Sequence, residues 1–487
     1  MRNRLLFLFS VWILSACTDG FEDINKNPNS PETINSDYLM SNVVLSSAYY
    51  YQTQAFTGRA ANAGRYITLV RNTDYTNFNW GPVGWWDPYA YLTLNYTLYQ
   101  QAKEKGEDQY LAVAKIMKAF NFGYLSDLYG DIPYSLALQS KESGLTRPAY
   151  DKQEAIFPAL LTELKEANEL LQTTTKTIVA TSDVLYAGNT LKWRKFANSL
   201  RLRYLLRISK NYPQAFTEMQ EILGDKTKYP ILESNADNPE IKYLGTLAAN
   251  SWPGGTLAMI DFDFTKTKAS KELVDRLTAR NDPRLPVWVA PVTAATGATV
   301  DKNTYVGVPH AIADPASYNG GETHISTFST LIRKNADDKL KASMLTYAEQ
   351  CFILAEALQR KAVTFSGETA ESLYYKGIDA SMDYWGVKAQ ATTQGYAAQP
   401  LVKYDGTLEQ LITQKWLANF FKGSEGWFDN RRTGYPVFQP GPLSLLSKMP
   451  QRFRYPDTET ATNNENYKKA VAAFGADDEY TLMWYLK

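Results

Sequence analysis

The stretch LKWRKFANSLRLRYLLRISK, residues 191–210, carries the strongest fold signal in this chain of 487 residues. Apolar side chains recur in it every three or four positions, at Trp193, Ala197, Leu200, Tyr204 and Ile208. An α-helix turns once in about 3.6 residues, so this spacing places all of them on one face. The stretch therefore predicts an amphipathic helix.

Three more stretches show the same helical spacing, at 111–130, 344–362 and 408–423. Small residues recur among the large ones in the second of these, at Ala348, Ala355 and Ala357, which favours closely stacked helix pairs. No exact 34-residue self-similarity is visible, so any tetratricopeptide-like repeats are degenerate. Clean strand alternation never exceeds about five residues, and a large sheet is not expected. The predicted fold class is mostly α.

Long segments rich in Gly, Pro, Asn and Asp interrupt the helical pattern at about 72–90, 230–265, 281–340 and 425–465. Irregular segments of this length in a compact domain are usually functional, or they contain small local elements. We expect helix pairs packed against an irregular, loop-rich region.

The N-terminus predicts export. Residues 1–16 combine Arg2 and Arg4 with an apolar run and small residues, which is the pattern of a signal peptide. The run is too short to span a bilayer as a stable helix. Leu14-Ser15-Ala16-Cys17 has the form of a bacterial lipobox, so we predict that Cys17 is lipidated and begins a mature domain of residues 17–487. The acidic residues Asp19, Glu22 and Asp23 follow Cys17 closely, and such a start is typical of either a surface-export signal or a solvated tether.

Charge and cysteine content limit the possible partners. Cleavage before Cys17 removes two arginines and no acid, which leaves 49 basic and 51 acidic residues and a mature net charge of −2. This balance and the exported location argue against nucleic acid as a partner, although residues 191–210 hold seven basic residues and no acid. We expect those side chains to pair with acids on neighbouring helices or to snorkel. Cys351 has no partner for a disulfide within the chain once Cys17 is lipidated.

No catalytic or metal motif stands out. His310 and His324 are the only histidines, and we interpret both as surface residues. The residue types do not supply three or four zinc ligands, and no calcium-loop pattern is present, so no metal and no cofactor are predicted. A glycosidase needs two carboxylates at a suitable separation. Asp261 with Asp263, or Glu425 with Asp429, are candidates, but salt bridges and loop caps are the more common use of such pairs.

Aromatic residues are concentrated in NTDYTNFNWGPVGWWDPYAY, residues 72–91. Gly81, Pro82, Gly84 and Pro88 predict a loop there. Rings on a rigid loop can stack on the C–H faces of sugars, at about 1 kcal/mol for each contact. The alternative is that the rings pack the loop onto the first helices, with Phe78, Tyr89 and Tyr91 buried. The predicted ligand-binding residues are aromatic apart from one amide: Tyr75, Asn79, Trp80, Trp85, Trp86, Trp252, Tyr384 and Trp385.

Several motifs together resemble the SusD/RagB family of Bacteroidetes outer-membrane lipoproteins, in particular its SusD-like subgroup. The matching pieces occur in family order: YGDIPYSLAL (129–138), NTLKWRKFANSLRLRYLLRIS (189–209), NDPRLPVW (281–288), FILAEA (352–357), EGWFDNRRTGYP (425–436) and RFRYP (452–456). Most of these pieces, such as Asp429 to Gly434, are interpreted as ion pairs and turns that hold the fold.

The resemblance implies about four degenerate tetratricopeptide-like helix pairs beside an irregular region. It also implies a lipid-anchored protein on the outside of the outer membrane that captures an oligosaccharide and delivers it to a SusC-like TonB-dependent transporter. No catalysis is expected of such a protein. Two alternatives remain open, a RagB-like oligopeptide-binding lipoprotein and a surface glycoside hydrolase.

Overall fold

The computed structural model describes residues 34–293, 295–296, 299–300 and 304–487. The predicted signal peptide (1–16) and the predicted lipidation site Cys17 lie outside the described residues. None of the helices in the described ranges is both long enough and apolar enough to cross a bilayer.

The helices of the first half of the chain are α1 (Ser36–Phe56), α2 (Arg59–Ala63), α3 (Trp86–Glu104), α4 (Asp108–Tyr129), α5 (Ser140–Ser143), α6 (Gln153–Thr173), α7 (Thr190–Ile208) and α8 (Ala215–Gly224). Those that follow are α9 (Asp261–Lys266), α10 (Lys271–Ala279), α11 (Leu285–Trp288), α12 (Tyr347–Gln359), α13 (Ala370–Tyr384), α14 (Lys388–Thr393), α15 (Leu408–Ala418), α16 (Glu425–Thr433), α17 (Asp457–Thr462) and α18 (Asn464–Phe474). Short 3-10 turns lie at Asn235–Asp237, Ala248–Asn250, Pro315–Gly320, Glu322–His324, Tyr396–Ala398 and Trp484–Leu486.

The strands form three small antiparallel pairs. They are β1 (Ile67–Leu69) with β3 (Thr267–Ala269), β2 (Glu240–Lys242) with β6 (Lys341–Ser343), and β4 (Ala295–Thr296) with β5 (Thr299–Val300). Each pair has only two strands of two or three residues, so none forms a sheet large enough to be a layer of the fold. The prediction of a mostly α fold is confirmed.

Helices that follow each other in the chain pack as four pairs: α3 with α4, α6 with α7, α12 with α13, and α15 with α16. Helix α1 packs on the first pair, and α4 packs on α6, so the pairs form a continuous stack. Close approach requires small residues at particular positions. At Gly377 of α13, for example, a Cβ atom would lie 2.7 Å from Cε2 of Phe352 on α12.

The helix that the sequence identifies most clearly, α7, carries a row of buried arginines. Arg203 makes two hydrogen bonds to the carboxylate of Glu349 on α12, at 2.7 and 2.6 Å. Arg207 forms ion pairs with Asp127 of α4 and Glu425 of α16. The expectation that the basic residues of 191–210 pair with acids on neighbouring helices is therefore confirmed for this face.

The ionic network continues onto α16. Arg432 contacts both carboxylate oxygens of Glu356 at 2.6 and 2.7 Å, and Lys415 lies 2.8 Å from Asp429. Burial opposes ionisation of Glu425, but the nearby Arg203 and Arg207 outweigh it and lower the pKa of that carboxyl. Residues 429–434 hold the fold together, as their motif predicts.

The segment 72–90 differs from its prediction as a loop. Helix α3 begins at Trp86, and Pro88 lies in its first turn. Proline is tolerated there because the first N–H groups of a helix have no intrahelical acceptor. Residues before the helix pack against the C-terminal region, where Val83 N donates to Arg454 O at 3.3 Å. The predicted irregular segment 425–465 likewise contains α16 and α17 and the start of α18.

Candidate ligand-binding site

An open groove lies where the first helices meet the irregular region. Its floor is the β1–β3 pair, in which Ile67 is opposite Ala269 and Leu69 is opposite Thr267. The first lobe of the groove has a volume of about 530 Å³. Side chains from α1, the 67–75 segment and the 258–267 segment line this lobe: Phe56, Thr57, Ile67, Leu69, Asn72, Asp74, Tyr75, Ala258, Met259, Ile260, Asp263, Lys266 and Thr267.

A second lobe of about 350 Å³ continues from the first. The two lobes share three lining residues, Thr57, Ala258 and Met259. The second lobe is completed by side chains from α1 and the 243–253 segment: Tyr49, Thr53, Tyr243, Ala248, Ala249, Ser251 and Pro253. The groove is therefore elongated, and an extended ligand could occupy both lobes.

Aromatic side chains stand in both lobes. In the second lobe, Tyr49 and Tyr243 stack with ring centroids 4.8 Å apart and planes at 22°. In the first lobe, the half-buried ring of Tyr75 faces Arg59, whose Cζ is 4.5 Å from the ring centroid. Phe262 is half exposed near this lobe, with Lys266 Nζ 5.6 Å from its ring centroid. Rings held in this way lose little freedom when a ligand stacks on them.

The polar groups of the first lobe are acidic on balance. Asp74 accepts a hydrogen bond from Asn79 Nδ2 at 3.0 Å and remains exposed. Asp263 pairs with Lys266 at 2.5 Å, so one carboxylate of the lobe is neutralised. Asn72 supplies an amide. This set can exchange hydrogen bonds with hydroxyl or amide groups, and the acidic balance disfavours an anionic ligand.

Buried residues support the floor from behind. His310 donates its Nε2–H to Ile67 O at 2.7 Å, and its Nδ1 lies 3.1 Å from Glu272 Oε2. Burial opposes the ionisation of Glu272, but His310 and Arg65 lower the pKa of this carboxyl to about 2. The interpretation of His310 as a surface residue is wrong, since it is 3% exposed. Across the described part of the chain, no cluster of potential ligands could hold a metal ion.

Two of the predicted stacking residues of the aromatic run are buried instead. Trp80 is 4% exposed, donates Nε1–H to Tyr75 O at 3.0 Å and packs on Phe453. Trp85 is 7% exposed and packs on Tyr129 and Tyr455. The expectation that these indoles face water is wrong, because the partners that bury them come from α4 and the C-terminal region.

Two predicted residues outside the run are buried as well. Trp252 donates Nε1–H to Ile332 O at 3.1 Å and packs on Phe56 and Tyr243, so it lies behind the groove rather than in it. Trp385 is 2% exposed and packs on Trp288 of α11. The prediction that these two rings bind a ligand is wrong, because neither ring is accessible.

The other predicted residues are accessible to different degrees. Trp86 is 82% exposed at the start of α3, and Asn79 is exposed beside Asp74. Tyr75 lines the first lobe. Tyr384 is half-buried outside the groove, where its hydroxyl accepts a hydrogen bond from Lys422 Nζ at 2.9 Å. Of the predicted set, only Tyr75 is among the residues that line the groove.

The acids considered for glycoside hydrolysis are engaged elsewhere. Glu425 and Asp429 are buried in the ionic network of α16. Asp261 and Asp263 lie on helix α9 rather than on an extended segment, so a separation of two residues does not put them on one face. Asp261 pairs with Arg333 and Asp263 with Lys266.

Several groove residues have no distinctive signal in the sequence. Tyr49 lies in a helix without strong amphipathic spacing, and Met259 and Ala258 lie in a segment recognised only as irregular. Apolar residues in an otherwise irregular segment were the only hint, and the structure shows five of them to be exposed: Leu244, Leu247, Leu257, Ile260 and Phe262.

Lys422, which holds Tyr384, is buried, and its hydrogen-bond partners among the described residues are neutral. Its Nζ donates to Ser343 Oγ at 3.1 Å and to Tyr384 Oη at 2.9 Å. Burial lowers the pKa of Lys422 to about 7, although Glu240 acts in the opposite direction.

This shift predicts a pH-dependent stability. In the unfolded chain Lys422 titrates near 10.5, so between pH 7 and 10.5 the unfolded state binds a proton that the folded state does not. The free energy of unfolding should therefore rise with pH in that window, by up to about 1.4 kcal/mol per pH unit from this group. Urea unfolding of the protein and of Lys422→Met, each at pH 7 and pH 8, measures this pH dependence of the free energy of unfolding. The free energy of unfolding of the parent, relative to that of the variant, should rise from pH 7 to pH 8, and a constant difference would contradict the shift.

Comparison with known proteins places the fold in a family. A SusD-like family model, described as "Starch-binding associating with outer membrane", matches residues 28–456. The chain belongs to the SusD-like family. Association with the outer membrane is part of the description of this family. The resemblance drawn from the sequence motifs is thereby confirmed.

Solved structures of SusD-like proteins have the same fold. A candidate nutrient-binding outer-membrane protein of Bacteroides vulgatus has a TM-score of 0.80 at 26% identity, covering 93% of this chain and 100% of its own. A SusD homologue of Bacteroides fragilis has a TM-score of 0.80 at 26% identity with the same coverage. A chitin-binding protein has a TM-score of 0.76 at 25% identity, covering 93% of this chain and 99% of its own. A search of the curated proteins found no match.

Proposed function

We propose that this SusD-like protein is a non-catalytic, cell-surface lipoprotein that binds oligosaccharides in the two-lobed groove. The observation that carries the proposal is the continuous groove with rings in both lobes, on a chain whose family is described as starch-binding. An oligosaccharide is elongated, presents C–H faces to rings and carries many hydroxyl groups. The half-buried rings of Tyr49 and Tyr75 and the polar side chains of Asn72 and Asp74 meet these needs. Tyr243 is only 6% exposed and supports the ring of Tyr49 from behind.

Delivery to a SusC-like TonB-dependent transporter is part of the proposal. It agrees with the family association with the outer membrane and with the lipobox at Cys17, which would tether the protein beside a transporter. An open groove fits this role better than a closed cavity, because captured ligand must be released. Only a few ring contacts of about 1 kcal/mol each are available, which is consistent with modest affinity.

The proposal is tested by isothermal titration of the purified protein with chito- and malto-oligosaccharides of two to six units. Chitin is included because a similar structure is that of a chitin-binding protein. We expect binding of at least one series, weakened about 3- to 10-fold by Tyr75→Ala, which removes one ring contact and leaves the backbone in place. Trp86→Ala tests whether the exposed indole on α3 also contacts the ligand. Tyr38→Ala, at an exposed tyrosine of α1 that lines neither lobe, is the matched control.

One observation favours an oligopeptide as the second candidate ligand. The first lobe has more aliphatic and sulfur side chains than rings, among them Ile67, Leu69, Met259 and Ile260. Such a surface can accommodate apolar side chains of an extended peptide. Peptides that co-purify with the protein, detected by mass spectrometry, together with no response to any oligosaccharide, would favour this candidate over the first.

A further inference from the structure

A separate cavity of about 240 Å³ lies on the first helix pair. Helix α3 contributes Tyr96, Tyr99 and Gln100 to its wall, α4 contributes Lys118, and the turn after α4 contributes Tyr134 and Gln139. It shares no lining residue with either lobe of the groove. The family piece YGDIPYSLAL (129–138) contributes Tyr134, Ser135, Ala137 and Leu138 to the lining, whereas the aromatic run of residues 72–91 contributes none.

Three half-buried tyrosine rings give the cavity its character. Tyr134 is fixed edge-to-face against Phe122, with ring centroids 4.8 Å apart and planes at 86°. The hydroxyl of Tyr96 accepts a hydrogen bond from Gln100 Nε2 at 2.6 Å. Those of Tyr99 and Tyr134 make no hydrogen bond to any residue that the structure describes. The wall therefore offers both ring faces and unused phenol groups to a ligand.

Lys118 determines which charge the cavity prefers. Its Nζ lies 5.8 Å from the ring centroid of Tyr99 and 5.3 Å from that of Tyr134. Glu163 neutralises it at 2.6 Å and also pairs with Lys115. A cationic ligand would compete with these ammonium groups for the rings, and an anionic one would meet an already paired lysine. A neutral ligand with hydrogen-bonding oxygens fits this arrangement better, because an ammonium has three donors and the carboxylate uses one.

The wall is already ordered without a ligand. The carboxylate of Asp151 accepts hydrogen bonds from Tyr134 N at 3.0 Å and from Ser135 N at 2.8 Å. Tyr89 on α3 donates its hydroxyl to Pro133 O at 2.6 Å, which ties the turn to the helix. In the wall, Asn95 donates Nδ2–H to Ala114 O at 2.9 Å, while its buried Oδ1 accepts no hydrogen bond from the described residues. A preformed wall lowers the ordering cost of binding.

We propose that this cavity binds a single neutral sugar ring, as a second carbohydrate site on the helix-pair face of the protein. Its volume is below the roughly 300–1,000 Å³ of sites for larger ligands, which limits the occupant to about one ring. A pyranose offers C–H faces to the tyrosines and hydroxyl groups to Lys118, Gln100 and Gln139. The site would retain sugar ends or released monosaccharides while the groove holds the longer chain.

The test uses saturation-transfer NMR on the full protein with glucose, galactose, mannose, xylose and N-acetylglucosamine, each at millimolar concentration. We expect transfer to at least one of them. Titration of that sugar should show binding weakened roughly 3- to 10-fold by Tyr99→Ala and by Tyr134→Ala. Tyr99→Phe, which keeps the ring and removes only the phenol hydroxyl, should weaken binding less than Tyr99→Ala does, and Tyr38→Ala serves as the surface control. Thermal unfolding of each variant shows whether it has folded.

The outcomes separate this site from the groove. A groove variant, Ala258→Trp, should leave the monosaccharide signal unchanged even if it removes oligosaccharide binding. If no sugar of the panel shows transfer, or if the signal survives both tyrosine-to-alanine substitutions in folded protein, the second site does not exist. A signal lost in Ala258→Trp but kept in Tyr99→Ala would assign the monosaccharide to the groove and overturn the proposal.

Discussion

Replacing Glu425 with glutamine is expected to lower the free energy of unfolding by about 3–5 kcal/mol. Glu425 accepts a hydrogen bond from Tyr51 Oη at 2.9 Å and forms ion pairs with Arg207 and Arg203. Glutamine keeps the shape of the side chain and removes its charge. Because the site is buried, the arginines cannot recover solvation in its place. Arg203 keeps Glu349 and Arg207 keeps Asp127, but the cluster is left with one uncompensated positive charge.

The size of this effect follows from the balance of the whole buried network. It consists of two neighbouring clusters of ion pairs. The cluster of Glu425 joins α4, α7, α12 and α16 through three acids and three bases: Asp127, Glu349 and Glu425 with Arg203, Arg207 and Arg431. The second cluster joins Glu356 and Asp429 with Lys415 and Arg432. Removing one acid leaves a net positive charge among helices that belong to all four pairs. The cluster of Glu425 is therefore expected to behave as a unit rather than as separate ion pairs.

The measurement is urea unfolding of the parent, of Glu425→Gln and of a matched control, Glu409→Gln. Glu409 is an exposed glutamate in the first turn of α15, as Glu425 is in the first turn of α16. We expect the control to change stability by less than about 0.5 kcal/mol. The double substitution Glu425→Gln with Arg207→Met should cost less than the sum of the single ones, because it removes both charges. If the losses of stability of the two single substitutions add up to that of the double one, Glu425 and Arg207 are not energetically coupled.

The sequence predicted the helix pairs because helical periodicity is local. The spacing of Trp193, Leu200 and Tyr204 is readable within one stretch, and all three side chains are buried as it predicts. It did not show that Arg203 and Arg207 on the same helix are buried too. Their acidic partners lie on α4, α12 and α16, and only the tertiary fold brings them together.

The binding site was harder to predict for the same reason. Trp80 and Trp85 are flanked by glycine and proline, which predicts exposure, but Phe453 and Tyr455 from the other end of the chain cover them. The groove itself is formed by residues 49–75 and 243–267, which are unremarkable in local composition apart from Tyr75 and its neighbours. The aromatic run of residues 72–91 thus indicated a part of the core that is rich in rings, and the two-lobed groove lies beside that part.

Blocking the junction of the two lobes gives the second large effect. Ala258 is exposed and lines both lobes, so the substitution Ala258→Trp would put an indole between them. Because the indole blocks the junction, an oligosaccharide that spans both lobes of the parent can occupy only one lobe of the variant. Each ring or apolar side chain that the sugar no longer touches removes about 1 kcal/mol of binding free energy. Because each lobe offers at least two such side chains, we expect the affinity to fall by roughly 30-fold or more.

The matched control is Ala389→Trp, which adds the same indole at an exposed alanine of α14 that lines neither lobe. Titration with the best oligosaccharide of the panel should distinguish the two variants. Chain length provides a further criterion, because a dimer that fits one lobe should be affected less by Ala258→Trp than a hexamer that needs both. Equal losses for dimer and hexamer would mean that the ligand uses one lobe only. Unchanged affinity for both would mean that oligosaccharides do not bind in this groove, whatever the family resemblance implies.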